Sequence, residues 1–358
     1  MSRRNLLGLV LAGAIGTLGG WVFSILALPL PWMLGSMLFT AVAAIGGAPV
    51  ALALPIRNGF VTILGLMLGS SFTADLLTQL DQWASGMVLM IVSVTLMTIF
   101  SVQLFRRFGH FDHITAYFSS TPGGLGLMTL IGEQEGGEAR TIAMVHSARI
   151  FFTVFAIPAY LLLIEGIEVP RGPALLNGQP TANFNELMIL TGCAIVGYSV
   201  GRLIRLPGYQ IIGPMAAAAA VYIAGFVTAP LPAPLIWMAQ VVLGASIGVR
   251  FRGIVFSRMA WPLLFAFISG AMMLTAAIIL ANLAAPWIGV SKHALLLALA
   301  PGGLAEMCLI GYTLGVDPAF TATMHIIRIL LVAMLGPAAF RLLHRSRRGH
   351  GSRKVSNR

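Results

Sequence analysis

A histidine followed three residues later by an arginine occurs twice in long apolar stretches, as His146 with Arg149 and as His325 with Arg328. This spacing places both side chains of a pair on one face of a helix. A charge at bilayer depth costs at least about 2.5–3.5 kcal/mol, so each arginine needs a partner or a water-filled cavity. Two roles fit, which are contact with a solute or ion and the fixing of backbone carbonyl groups. Because intramembrane charges are by default functional, solute contact is the favoured interpretation.

Two Pro-Gly-Gly segments interrupt apolar stretches before these pairs. They consist of Pro122, Gly123 and Gly124 in the first half and of Pro301, Gly302 and Gly303 in the second. Proline removes a backbone donor and paired glycines allow a non-helical turn, so each segment predicts a break in a helix. The half-helix after each break would present free N–H groups and a positive dipole end. Two such ends beside two arginines would form an anion site, unless the glycines serve only close helix packing.

Glu306 lies deep in an apolar stretch, in the first turn expected after the second break. A carboxylate is stabilised there by the helix dipole. It could act as a helix cap or as the salt-bridge partner of Arg328 or Arg149. The alternative is a site that couples transport to a proton or a cation. The matching position of the first half holds Leu127, so one half alone offers this group.

These features recur because the two halves match at an offset of about 179 residues. From Pro122 and Pro301 the halves align without a gap to Pro158 and Pro337. An internal repeat in an apolar chain is typical of many secondary transporters. The predicted organisation is a first membrane repeat (1–165), an external linker (166–186), a second membrane repeat (187–343) and a basic cytoplasmic tail (344–358).

The composition predicts a membrane protein. Of the 358 residues, 58% are hydrophobic and 9% are charged, and the mean hydropathy is +0.91. A soluble domain carries about 25% charged residues. Several apolar stretches reach the roughly 20 residues that cross a bilayer, and they lack the alternation of barrel strands, so we expect helices. Two cysteines give no disulfide framework, and no metal or cofactor motif is predicted.

Basic residues favour the cytoplasmic side of a membrane and therefore predict the topology. Arg3 and Arg4 place the N-terminus inside, at the start of a retained first helix rather than a signal peptide. If each repeat crossed six times, five arginines of the second half would lie outside; if each crosses five times, the halves are inverted and all five lie inside. These are Arg202, Arg205, Arg250, Arg252 and Arg258.

We therefore predict an all-α polytopic protein of the bacterial inner membrane with both termini in the cytoplasm. It comprises two inverted repeats of about five transmembrane helices each. Each repeat also contains one Pro-Gly-Gly segment that enters the membrane and returns. A broken helix that crosses the membrane is the alternative for this segment.

Three motifs of the second half resemble a known family. They are Pro-Gly-Gly-Leu-x-Glu-Met at residues 301–307, Asp-Pro-Ala-Phe at residues 317–320 and His-x-x-Arg at residues 325–328. Together they resemble the duplicated membrane family labelled AbrB, over essentially the whole chain. Its members are also labelled ammonia monooxygenases or regulators of gene expression. The first copy departs from the motif at Leu127. The resemblance implies a membrane protein.

A secondary transporter of a small, anionic solute, such as an organic anion, explains the repeat, the breaks and the buried charges together. Its partners would be the lipid bilayer, the solute and a coupling proton or sodium ion, and an oligomer is compatible with the sequence. A membrane-embedded regulator or sensor that acts indirectly is the alternative. A monooxygenase needs several metal ligands, whereas the arginines beside His146 and His325 would repel a cation, so we expect no enzyme. No DNA-reading module is recognisable, so direct contact with nucleic acid is not expected.

Overall fold

The computed structural model describes residues 3–72, 80–167, 181–254 and 256–352. Within these ranges the chain forms fourteen α-helices and one short 3-10 turn, and no strand. The expectation of an all-α protein is therefore confirmed. Most of the predicted linker, residues 168–180, and the last six residues of the predicted tail, 353–358, lie outside the described residues.

The helices of the two halves follow each other in the same order. The first half contains α1 (Arg3–Ile25), α2 (Pro31–Ile45), α3 (Leu54–Gly69), α4 (Leu80–Arg107), α5 (His113–Ser120), α6 (Leu125–Gln134) and α7 (Ala139–Leu163). The second half contains α8 (Phe184–Leu203), α9 (Tyr209–Ile223), α10 (Ala233–Gly248), a 3-10 turn (Val249–Phe251), α11 (Phe256–Ile288), α12 (Lys292–Leu299), α13 (Leu304–Thr313) and α14 (Pro318–Ser352). The bounds of α12 and α13 lie about 179 positions after those of α5 and α6.

Seven of the described helices are long and apolar enough to cross a membrane: α1, α4, α7, α8, α10 with the turn that follows it, α11 and α14. This number suits a multi-pass membrane protein. The helices α2, α3 and α9 contain 15, 16 and 15 residues. They extend roughly 23 Å, which is somewhat less than the roughly 30 Å hydrocarbon core. The ten predicted crossings require these three helices as well, so that number stays a prediction.

The outer and inner helices differ in burial. The apolar segments of α7 and α10 are each 61% buried within the protein, whereas that of α8 is 22% buried. Large apolar side chains such as Leu18 in α1, Phe100 in α4 and Ile279 in α11 are exposed. A surface of this kind calls for lipid rather than water. The helices α7 and α10 therefore lie at the centre of the protein.

Glycines set the closest crossings between the halves. Gly65 in α3 lies against α9, where an added Cβ would come within 2.6 Å of the carbonyl oxygen of Ile211. Gly244 in α10 lies in the same way against Met33 in α2. Small residues of this kind let helix backbones approach each other closely. Because α3 packs on α9 and α10 packs on α2, the halves interleave instead of forming two separate bundles.

Each Pro-Gly-Gly segment joins two short helices into an antiparallel hairpin. In the first hairpin, α5 has 8 residues and α6 has 10. A Cβ added to Gly132 of α6 would lie 3.1 Å from the Cβ of Phe118 of α5. Beyond the end of α6, the backbone N–H of Glu138 donates to the hydroxyl of Thr115 at 2.9 Å. The chain thus returns to the end at which it entered, and α12 and α13 contact each other as a second hairpin.

Candidate functional site

The first hairpin is held at its break by Arg149 of α7. This side chain is 1% exposed. Its Nη1 donates to the carbonyl of Ser119 at 3.1 Å and its Nη2 donates to the carbonyl of Thr121 at 2.6 Å. These carbonyl groups lie where α5 ends and therefore lack helical partners. The planar guanidinium spans both because its donors are set in a rigid fork.

The second hairpin is held by Arg328 of α14, which is 2% exposed and binds carbonyl groups two positions further along the repeat than Arg149 does. Its Nη1 donates to the carbonyl of Ala300, and its Nη2 donates to the carbonyl of Gly302 at 2.5 Å. Both arginines thus bind the backbone at the breaks. This is the structural role that the sequence left as an alternative to solute contact.

Each histidine completes the connection between its arginine and the hairpin. The Nε2 of His146 lies 2.9 Å from the carbonyl of Phe118, and its Nδ1 lies 2.9 Å from Nη2 of Arg149. A carbonyl can only accept and a guanidinium can only donate, so the proton is on Nε2 and the ring is neutral. His325 lies in the same position, with Nε2 2.9 Å from the carbonyl of Leu297. Neither imidazole keeps a nitrogen free for a metal ion.

Each guanidinium group has one nitrogen without a partner. The buried Nε atoms of Arg149 and Arg328 have no hydrogen-bond partner in the described part of the chain. The ion pairs among the described residues all involve Glu165 or Glu135, so neither arginine has an acidic partner. A Cβ added to Gly123 would lie 3.6 Å from Nε of Arg328. The arginine of the second half therefore lies beside the break of the first.

The breaks themselves are tight turns around the prolines. The residues Pro122 and Pro301 are both buried. The N–H of Gly123 donates to the carbonyl of Thr121 at 3.0 Å, and the N–H of Gly302 donates to that of Ala300 at 2.8 Å. These three-residue turns reverse the chain within the protein interior.

The half-helices after the breaks begin without a capping side chain. Gly124 precedes α6 in the left-handed conformation, with a φ of 70°, whereas Gly303 precedes α13 in an extended conformation, with a φ of −81°. Neither glycine can satisfy the first N–H groups of its helix through a side chain. The starts of these two helices, with their positive dipole ends, therefore lie near the breaks that the arginines bind.

Glu306 lies in the first turn of α13, as the sequence predicted, and is 6% exposed. Its carboxylate folds back over the start of the helix, so that a Cβ added to Gly303 would collide with Oε2. Within the described residues it forms no ion pair with Arg328 or Arg149. The predicted alternative of a salt bridge to either arginine is therefore not observed.

A cavity of about 400 Å³ lies beside the first break, and the sequence did not predict it. Its lining includes Leu125, Ser147, Arg140, Arg250 and Arg252. In the sequence, Arg250 and Arg252 indicated the topology alone. A further signal was available, because the repeat does not preserve these basic residues: the position in the second half that matches Arg140 holds an alanine.

An apolar, all-helical chain with two hairpins, each fixed by a buried His–Arg pair, has the architecture of a multi-pass helical membrane protein. The chain belongs to the AbrB family. The family profile, described as "Transition state regulatory protein AbrB", matches residues 32–344. The resemblance seen in the Pro-Gly-Gly and His-x-x-Arg motifs is thereby confirmed.

Two relatives match nearly the full chain. "Uncharacterized protein YhjN" of Bacillus subtilis (strain 168) is 27% identical over 363 residues, which cover 95% of this chain and 94% of the relative. "Putative regulator AbrB" of Escherichia coli (strain K12) is 27% identical over 321 residues, which cover 88% of this chain and 90% of the relative.

Proposed function

We propose that this protein is a secondary transporter of a small anionic solute, which binds at the paired breaks. The observation that carries the proposal is the pair of buried guanidinium groups of Arg149 and Arg328, each with an unpaired Nε and no acidic partner among the described residues. A buried charge without compensation is costly. An anion would supply the compensation and would also accept from the N–H groups at the start of α6.

The hairpins suit this role. Non-helical backbone is tolerated at membrane depth only where protein encloses it or water reaches it. The His–Arg connections satisfy carbonyl groups at each break, and at the first break they leave the donor-rich start of α6 free for a solute. The arms of 8 and 10 residues reach roughly 12–15 Å, about half of the hydrocarbon core. The antiparallel contact between the arms supports entry and return rather than a crossing.

Contacts between the halves support an inverted arrangement of two five-crossing repeats. The Nη1 of Arg252 donates to the carbonyl of Val50 at 3.2 Å, and the indole N–H of Trp261 donates to the carbonyl of Gly109 at 2.9 Å. With six crossings per repeat, Arg252 and Trp261 would lie outside while their acceptors lay inside. With five crossings, all four residues lie on the cytoplasmic side. The proposed location is the bacterial inner membrane, with both termini inside.

The E. coli relative and the family description both carry a regulatory name, so an indirect regulator or sensor is the second candidate. Transport of a small effector would join the two functions without direct contact with DNA. We propose no enzymatic role, because both ring nitrogens of His146 and of His325 are already bound.

The test is uptake by proteoliposomes that contain the purified protein. Radiolabelled acetate, succinate and citrate would be offered with and without an imposed pH gradient, beside protein-free liposomes as the control. We expect accumulation or exchange of at least one multivalent anion above the control. If the protein is monodisperse and unfolds in a cooperative thermal transition but moves none of the three anions, the proposed transport of small carboxylates is overturned. The sensor is then favoured.

A further inference from the structure

Among the residues that the structure describes, three arginines and no acidic residue line the cavity beside the first break. Two of the three are fixed by the backbone: Arg140 donates to the carbonyl of Gly253 at 2.5 Å, and Arg252 donates to that of Val50. Arg250 is half-buried and forms no hydrogen bond or ion pair with any residue that the structure describes, and the carboxylate of Glu306 interacts with it electrostatically at longer range. The cavity thus contains three cationic groups, two of them held in place.

The cavity leads inwards along α7. Arg140 is the second residue of this helix, and Ser147 follows seven residues later, roughly 10 Å deeper. Leu125, the first residue of α6, also lines the cavity, so the uncapped start of that helix adjoins it. A solute in the cavity would therefore lie between the arginines and the first break.

The internal repeat does not preserve this charge. The positions that match Arg140 and Arg250 at the offset of the repeat are Ala319 and Ser71. The two halves match at the hairpins, as Arg149 and Arg328 illustrate, whereas Arg140 and Arg250 have no basic counterpart in the other half. General packing of the repeat therefore does not account for them.

We infer that this cavity binds a small oxyanion that carries at least two negative charges, such as a dicarboxylate or tricarboxylate. Three guanidinium groups favour a multivalent anion over a monovalent one, because each further negative charge adds Coulombic attraction to the three cations. The volume of about 400 Å³ lies within the range of small-molecule sites. The cavity is also the cytoplasmic entry site of the solute, an assignment that rests on the proposed transport function.

Binding can be measured without transport. Isothermal titration of the purified full-length protein in neutral detergent would use citrate, succinate and acetate as probes. We expect citrate to bind most tightly, acetate most weakly, and added salt to weaken all three. Arg250→Gln should weaken citrate binding by at least about tenfold. Equal affinity in the wild type and in Arg250→Gln would overturn the inference.

The matched control is Arg107→Gln, which removes one exposed charge at the end of α4 without touching the cavity. Its citrate affinity should stay within about twofold of the wild type; a loss equal to that of Arg250→Gln would show that net charge alone is responsible and overturn the site. Ala143→Leu fills the cavity with an apolar side chain and keeps every arginine. It should also weaken citrate binding, which tests the site even if Arg250→Gln does not fold.

A phosphate of an anionic lipid offers the same oxyanion chemistry, and a second arm separates the sources. Citrate titration would be repeated in nanodiscs of phosphatidylcholine and of phosphatidylglycerol. Binding in both lipids supports a soluble anion, whereas Arg250-dependent enrichment of phosphatidylglycerol without citrate binding would overturn the entry site for a solute.

Transport assays separate the two proposals: citrate binding without any transport contradicts the proposed function alone, and unchanged transport in Arg250→Gln contradicts the entry site alone.

Discussion

Replacement of Arg328 by lysine tests whether the planar fork holds the second break. The guanidinium donates to the carbonyls of Ala300 and Gly302 and to Nδ1 of His325. An ammonium keeps the charge but is a compact group on a flexible stem that cannot span the acceptors, so we expect one of the three hydrogen bonds to survive. A hydrogen bond from a charged group contributes about 1.5–3 kcal/mol. Loss of two should therefore lower the free energy of unfolding by about 3–6 kcal/mol.

The measurement is reversible unfolding in mixed detergent micelles, with thermal melting as a second observable. Arg341→Lys is the matched control, because Arg341 lies in the same helix, is largely exposed and donates to Glu135 at 3.2 Å. An exposed pair contributes about 0–1 kcal/mol, so the control should resemble the wild type. If Arg328→Lys were as stable as the control, the carbonyl connections could not be what holds the break. Arg149→Lys should behave like Arg328→Lys, since the fork of Arg149 also spans two backbone carbonyl groups and Nδ1 of a histidine.

Three further predictions address coupling, topology and pH. Glu306→Gln should abolish accumulation driven by a pH gradient and leave exchange intact, because exchange needs no net proton movement; unchanged coupling would exclude Glu306 as the proton site. A cysteine at Gly253 should react with an impermeant thiol reagent only after permeabilisation, and external labelling there would exclude two five-crossing repeats. Hydrogen bonds from Lys292, the larger cause, and from Tyr160 lower the pKa of the Glu165 carboxyl below its ordinary 4.5. The stability that these bonds give the folded protein is therefore present above pH 4.5 and is lost as the pH falls through the lowered pKa. In Glu165→Gln this part of the acid dependence of unfolding should disappear, and an unchanged acid profile would contradict it. Cysteines at further positions extend the topology test. Those at Pro230, Trp287 and Gly178 should react from outside, and of these Gly178 lies outside the described residues. Those at Arg57 and Gly109 should react only after permeabilisation.

Local chemistry made the hairpins predictable from the sequence. Proline and paired glycine act on their own neighbours, so the breaks could be placed before any contact was known. The expected arms of about nine residues correspond to helices of 8 and 10 residues. The i, i+3 spacing likewise placed His146 beside Arg149, since it depends on helix geometry alone.

The acceptors of the arginines could not be predicted in the same way. Every residue carries a carbonyl group, so no sequence pattern distinguishes those of Ser119 and Thr121 as the partners of Arg149. The cavity depends on contact between segments more than a hundred residues apart, Arg140 in α7 and Arg250 after α10. Such contact arises from the interleaving of the halves, which the pairing of repeats along the chain does not specify.

The departures from symmetry have a consequence for the proposed mechanism. In an inverted repeat, exchange of the roles of the halves converts the inward-facing form into the outward-facing form, so equivalent residues contribute equally to both. The matched His–Arg connections are of this kind and cannot distinguish the two faces. A difference in affinity between the faces must therefore come from unmatched residues, such as Glu306 opposite Leu127 and Arg250 opposite Ser71. A ligand shifts an equilibrium only by its differential affinity for the two forms. The unmatched residues are accordingly where substitutions should change the sidedness of transport, whereas substitutions at the matched pairs should impair both directions alike.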